Sequence, residues 1–220
     1  VSGAALAYLV RFTRSLERLG TLISRLLDPV VGVRRAAVID LGDAAHEHGL
    51  SALASTPVSM PLRAKSAFQI LARNSQDFSN TDFISILMDD PRLLSYPAQL
   101  SSPSSLDSIC DCLRHRDEGK QYLGAKALLE LPSDEQQQSM LEIWNQYGSD
   151  YGVHYLIINC IAHSGLDSLS DLVIEALNTK EPQYAKSRIA AVWACKSLGL
   201  KDTRHAIERL SLETQCDALK

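Results

Sequence analysis

The strongest constraint on this chain is a basic or polar residue that recurs in the same local setting. Arg34, Arg63, Arg92, Gln121, His154 and Arg188 follow one another at intervals of roughly 29 to 34 residues, the period of helical-hairpin solenoids. The clearest copy is Tyr184–Asp202, YAKSRIAAVWACKSLGLKD. Three residues after Arg188 comes Ala191, then Ala194, then Leu198-Gly199. Small residues on one face let a neighbouring helix approach closely, and a glycine can end the helix in the left-handed conformation. An arginine at the start of such a helix can reach the end of the preceding unit. A unit of this kind cannot bury its apolar face alone, so it must stack on its neighbours.

The rest of the chain reads as worn copies. Residues 1–28 read as N-terminal capping helices and 29–220 as the repeat array. AALAYLVRFTRSLERLG should form a helix stopped by Gly20, followed by a short second helix ending at Asp28-Pro29. In DPVVGVRRAAVIDLGD, Val33, Ala37 and Leu41 should face the core, with Gly42 loosening the helix end. Pro61 opens the next copy with Arg63 in the arginine slot, and Asn80 or Thr81 caps its partner helix. Around 90–116 the pattern degenerates: Asp90-Pro91-Arg92 resembles a repeat start, but Pro97 and Pro103 break its first helix. The pattern resumes at Glu118. Ser133 to Gln136 (SDEQ) reads as a capping box, and Gly165 ends the His154 copy. TRHAIERLSLETQ closes the array. The expected fold is all-α: a right-handed α-solenoid of helical hairpins.

Composition narrows the function classes. Aromatics are 6% of 220 residues, and a net charge of -4 argues against a nucleic-acid binder. No apolar run is long enough to span a bilayer. The start at Val1, without Met, suggests a trimmed chain that a targeting segment could precede. Cys110, Cys112, Cys160, Cys195 and Cys216 are odd in number and sit in apolar helical text, so they read as free thiols in a reducing compartment. Cys110 and Cys112 point apart on a helix, which disfavours a metal cluster with His115. The His-Glu pair in AHEHG is single where a helical-repeat di-iron site needs several, so no metal is expected, and His46 and His48 should be exposed at a helix end. No P-loop, dinucleotide fingerprint or nucleophile elbow occurs.

The pattern DPxxxVRRAAxxxLGD at Asp28–Asp43 resembles the HEAT-repeat family. DYGVHYL (150–156), PQYAKSRIAAVWA (182–194) and PLRAKSA (61–67) resemble, more narrowly, the E/F-type phycobilin lyases and their chaperone-like relatives. That resemblance implies handling of a linear tetrapyrrole, not permanently bound, for attachment to a cysteine of a phycobiliprotein subunit. The partners implied are that client and a second HEAT-like subunit or a second copy, in a cyanobacterial cytosol or plastid stroma. The bilin- or client-binding candidates are Tyr151, His154, Tyr155, Tyr184 and Arg188, with Arg34 and Arg63. Arginine suits a propionate, tyrosine a pyrrole ring, and His154 a proton exchange. On the other reading, Arg34 and Arg188 cap neighbouring repeats and the tyrosines are core edges. Two other functions stay open: a scaffold or adaptor without a small-molecule role, and a helical-repeat DNA enzyme using Arg34, Arg35, Arg63, Lys65, Lys186 and Arg188 as a basic stripe.

Overall fold

The computed structural model describes residues 2–75, 77 and 80–213. Cys216 lies outside the described residues. The described residues form α-helices joined by short 3-10 turns, with no strand among them. The chain divides into two compact units, one running to Ser101 with Asp117–Gly119, the other comprising Ser102–Arg116 and the chain from Lys120 on.

The first unit contains α1 (Gly3–Thr13), α2 (Leu16–Ser24), α3 (Val31–Ala44), α4 (Gly49–Ala54), α5 (Met60–Arg73) and α6 (Thr81–Met88). α3 packs between α1 and α5, while α4 lies against α5 and α6. The first helix breaks at Arg14-Ser15, and Gly20 sits inside α2. Arg14 adopts the left-handed conformation, and the Ser15 hydroxyl caps the next helix by accepting from Arg18 N–H. A serine that can cap thus outweighs a glycine that merely weakens a helix. Gly42 likewise ends nothing. A Cβ there would stand 2.9 Å from Ser66 Cβ and 3.0 Å from Ser66 Cα, so the glycine sets the close approach of α3 and α5. Ala37 and Leu41 are buried as expected, Asn80 caps α6 through its side chain, and Val33 is only half-buried. Beyond Pro91–Leu93, a 3-10 turn, the expected first helix of the degenerate copy is absent. Arg92 is not an anchor either: it is exposed and pairs with the neighbouring Asp90.

The second unit holds α7 (Leu106–Leu113), most of α8 (Glu118–Leu129), α9 (Ser133–Tyr147), α10 (Tyr151–Ser164), α11 (Ser170–Asn178), α12 (Ala185–Ser197) and α13 (Arg204–Glu213). α10 is its centre, packed on α9 and α12. Every residue from Val153 to Ala162 is buried, so the helix reads as apolar all round. Gly165 and Gly199 take φ of 69° and 66°, the left-handed stops expected after α10 and α12. No SDEQ capping box forms. Pro132 occupies the cap of α9, and the Gln136 side chain instead donates to the carbonyls of Leu129 and Leu131. No helix among the described residues is long and apolar enough to cross a membrane.

Three of the arginine slots explain how their hairpins are held. Arg34 donates to the carbonyls of Asp28 (2.8 Å) and Pro29 (3.2 Å) and pairs with Asp117. Arg63 donates to Val58 (2.8 Å) and Ala54 (3.0 Å) and pairs with Asp89. Arg188 donates through Nη1 to Thr179 (2.8 Å) and Glu181 (3.0 Å). Each guanidinium thus clasps the carbonyls of the loop that precedes its own helix, groups that would otherwise lack partners at a helix end. Arg34 and Arg63 are fully buried, and Arg188 is 9% exposed.

Candidate functional site

In the fourth well-formed slot, in the second unit, a histidine stands where the others have an arginine. His154 sits one turn into α10, with its N–H donating to Asp150 O at 2.8 Å. Asp150 caps the helix, its Oδ1 accepting from Gly152 N–H (2.8 Å) and Val153 N–H (3.2 Å). Gly148 closes the turn after α9, where a Cβ would press to 2.5 Å from Trp144 O. An arginine in this slot would reach back over five to nine residues, as its counterparts do, onto the stretch holding Asn145, Gly148 and Ser149. Imidazole is too short to do so.

The space left is an open groove of about 540 Å³, within the roughly 300–1,000 Å³ of small-molecule sites. It is lined by Trp144, Asn145, Gln146, Gly148 and Ser149 from the end of α9, His154 from α10, Glu175 and Thr179 from α11 and its end, and Glu181 and Tyr184 ahead of α12. Three rings form its aromatic wall. His154 lies 4.4 Å from Trp144 and 4.7 Å from Tyr184, tilted 46° and 57°. Tyr184 Oη donates to Ser149 O at 3.0 Å, taking the place of the missing clasp from the other side of the loop.

His154 is 5% exposed, and its Nδ1 has no hydrogen-bond partner. Burial pushes its pKa down to about 4, opposed only by a backbone hydrogen bond. At neutral pH it is an uncharged ring with one unmet polar atom, which is costly inside a protein unless something pairs with it. Polar side chains without charge compensation dominate the mouth of the groove: Glu175 and Glu181 are exposed, and no lysine or arginine lines it.

Of the residues expected at the site, His154 and Tyr184 line this groove. Arg188 stands behind it, its Nη1 committed to carbonyls of two lining residues. Tyr151 is 64% exposed and outside the lining, and Tyr155 is buried under Lys186, whose Nζ lies 4.3 Å from the ring centre. Arg34 and Arg63 belong to the first unit and are wholly buried in their clasps. Trp144, Glu175 and Glu181 were not expected. The signal for Trp144 was available: a tryptophan one turn before a Gly-Ser pair.

Two other clusters were candidates. His46, Glu47 and His48 bring ligand atoms within 4.8 Å of one another. His46 is buried rather than exposed, because the turn after left-handed Ala45 folds it inward, while His48 remains exposed. The Arg14 guanidinium already pairs with Glu47, and burial and then Arg14 push the His46 pKa down. The thiols of Cys110, Cys112 and Cys195 are all pushed up, chiefly by burial, which suppresses thiolate.

The clasped hairpins define a helical-repeat protein, and fold alone does not carry a function. No family model matches the chain. The chain is 26% identical over 208 residues to an uncharacterized phycocyanin operon protein Y of Pseudanabaena tenuis, covering 90% of this chain and 49% of that protein. It is also 26% identical over 211 residues to the bilin biosynthesis protein CpeY of Synechococcus sp. (strain WH8020), covering 90% and 50%. The chain thus spans about half the length of these relatives. Within the helical-repeat class, it resembles the E/F-type phycobilin lyase family.

Proposed function

We propose that this chain handles a linear tetrapyrrole, as a phycobilin lyase or a chaperone partner of one, for transfer to a cysteine of a phycobiliprotein subunit. The observation that carries the proposal is the groove over Trp144, His154 and Tyr184, where an arginine clasp is missing and a buried imidazole nitrogen is unpaired. The name of one relative, a bilin biosynthesis protein, points to the same ligand class, and that of the other to a phycocyanin operon. Aromatic walls offer a stacking surface for conjugated pyrrole rings. Neutral His154 offers a hydrogen bond to a pyrrole N–H or a lactam, according to its tautomer. Arg188 frames the groove from behind, and Arg34 and Arg63 hold the first unit. Tyr151, exposed at the start of α10, is the residue we assign to client contact. The tetrapyrrole is a passing ligand rather than a resident cofactor. The client is a phycobiliprotein subunit, a second helical-repeat chain or second copy completes the active unit, and the setting is a cyanobacterial cytosol or plastid stroma.

Titration of phycocyanobilin and phycoerythrobilin into the protein, followed by absorbance and fluorescence, tests this. A red-shifted, sharpened band that is lost in Trp144→Ala and His154→Arg is expected. The absence of a spectral change with both bilins, alone and with a phycobiliprotein subunit, would leave an adaptor role as the better account.

A further inference from the structure

Resting on that reading, we infer that the groove receives a linear tetrapyrrole by its nitrogen edge, with both propionates directed away from the protein. The argument is one of charge and hydrogen-bonding type. In a curled tetrapyrrole the ring nitrogens line one edge and the two propionates leave from the other. The nitrogen edge of the neutral molecule carries three N–H donors beside one imine nitrogen, and the propionates are anions. The groove carries acceptors at its rim, the carboxylates of Glu175 and Glu181, and the amides of Asn145 and Gln146 beside them. No cationic side chain is among its lining residues. Of the guanidinium groups beside it, Arg188 directs Nη1 at the carbonyl oxygens of Thr179 and Glu181 and is 9% exposed, and Arg114 lies over the Tyr147 ring, 4.4 Å from its centre. Lys180 lies between those two residues in sequence, is exposed, and is not part of the lining. A propionate turned inward would meet two carboxylates and a neutral imidazole. A row of N–H groups turned inward would meet acceptors.

His154 makes this more than an acidic rim. It is 5% exposed and lines the groove, and its unpaired Nδ1 is buried behind the ring face, so the floor is a neutral ring rather than a cation. The aromatic rings of Trp144 and Tyr184 on either side set the plane against which the ligand's rings lie.

The test compares phycocyanobilin with its dimethyl ester, which keeps the nitrogen edge and removes both charges. Binding is read by absorbance against the wild type, His154→Arg and a Glu175→Gln/Glu181→Gln double variant. Both carboxylates are exposed, so the double variant should keep its fold, which circular dichroism checks. The expected result is that the ester binds within about threefold of the diacid, and that the double variant weakens both by roughly threefold to tenfold, as for solvent-facing charged contacts. Loss of ester binding with diacid binding retained would overturn the orientation alone. An unchanged double variant would do the same. Failure of both forms to bind would overturn the orientation together with the bilin-handling function it rests on.

Discussion

Arg63 and His154 occupy equivalent slots and do opposite things. Arg63 fills its slot completely: it is fully buried, reaches the carbonyls of Ala54 and Val58, and is neutralised by Asp89. His154 stops short: the loop it should clasp opens into a groove that the ring lines, and its buried Nδ1 is left unpaired. One slot is structural because its polar groups are satisfied. The other is the candidate site because they are not. A repeat protein can therefore make a binding site by subtraction, leaving the clasp out of one repeat while the others keep the frame.

The largest effect should come from breaking the filled slot. Arg63→Ala leaves the Asp89 carboxylate buried and strips two loop carbonyls of their donor. Removing one partner of such a pair costs about 3–5 kcal/mol, which should appear as a large fall in the denaturation midpoint. A cost under about 1 kcal/mol would mean that the clasp is not what holds the hairpin.

Next is the pH response of the empty slot. The folded protein holds His154 neutral, with its pKa lowered to about 4, whereas the unfolded chain takes up a proton near its ordinary value of 6.5. The unfolded state thus binds more protons between those values, and stability rises with pH across that window. The contribution is fully present above about pH 6.5 and is lost as pH falls towards 4, with a size of roughly 1–3 kcal/mol. His46 is shifted in the same direction, so the informative measurement is the difference between wild type and His154→Phe. The wild type should lose more stability on acidification. Parallel curves would show that His154 is not held neutral by its burial.

The two slots also show what could be read from the residues alone. The arginine period and the roles of Gly165 and Gly199 were legible because each depends on residues within one hairpin. The groove was only half legible. His154 stands out as a departure from the arginine pattern, but the site also needs Trp144, Glu175 and Glu181 from three other places in the chain. Such convergence depends on packing that no local spacing reports. The same reason explains Gly42, which looks like a helix terminator and is instead a contact point for Ser66. Where two local signals competed, the one with the better hydrogen bond prevailed: Ser15 over Gly20, and the Gln136 side chain over an SDEQ box.

Converting one slot into the other gives a smaller but sharper test. His154→Arg should place a guanidinium on the 145–149 loop and restore the clasp. Charge-assisted bonds to the carbonyls are offset by the absence of an acid such as Asp89, so the net gain should be about 1 kcal/mol or less. Bilin binding should fall at least tenfold in the same variant. Greater stability with lost binding would tie the groove to the missing clasp, whereas retained binding would detach the two.

The smallest predicted effect concerns the hydrogen bond that partly substitutes for the clasp. Tyr184 Oη reaches Ser149 O at 3.0 Å, and Tyr184→Phe removes that bond while keeping the ring beside His154. The site is open to water, which can re-satisfy the carbonyl, so the cost in stability should be about 0.5 kcal/mol, the low end for a single hydrogen bond. Its effect on bilin binding separates two ways in which Tyr184 can act. If the ring is what matters, Tyr184→Phe binds nearly as well as wild type and Tyr184→Ala does not. If the hydroxyl holds the loop in the shape that admits the ligand, both variants lose affinity together. The first outcome makes the aromatic wall the recognition surface and the loop passive. The second makes the loop geometry, normally fixed by an arginine, the feature on which recognition depends.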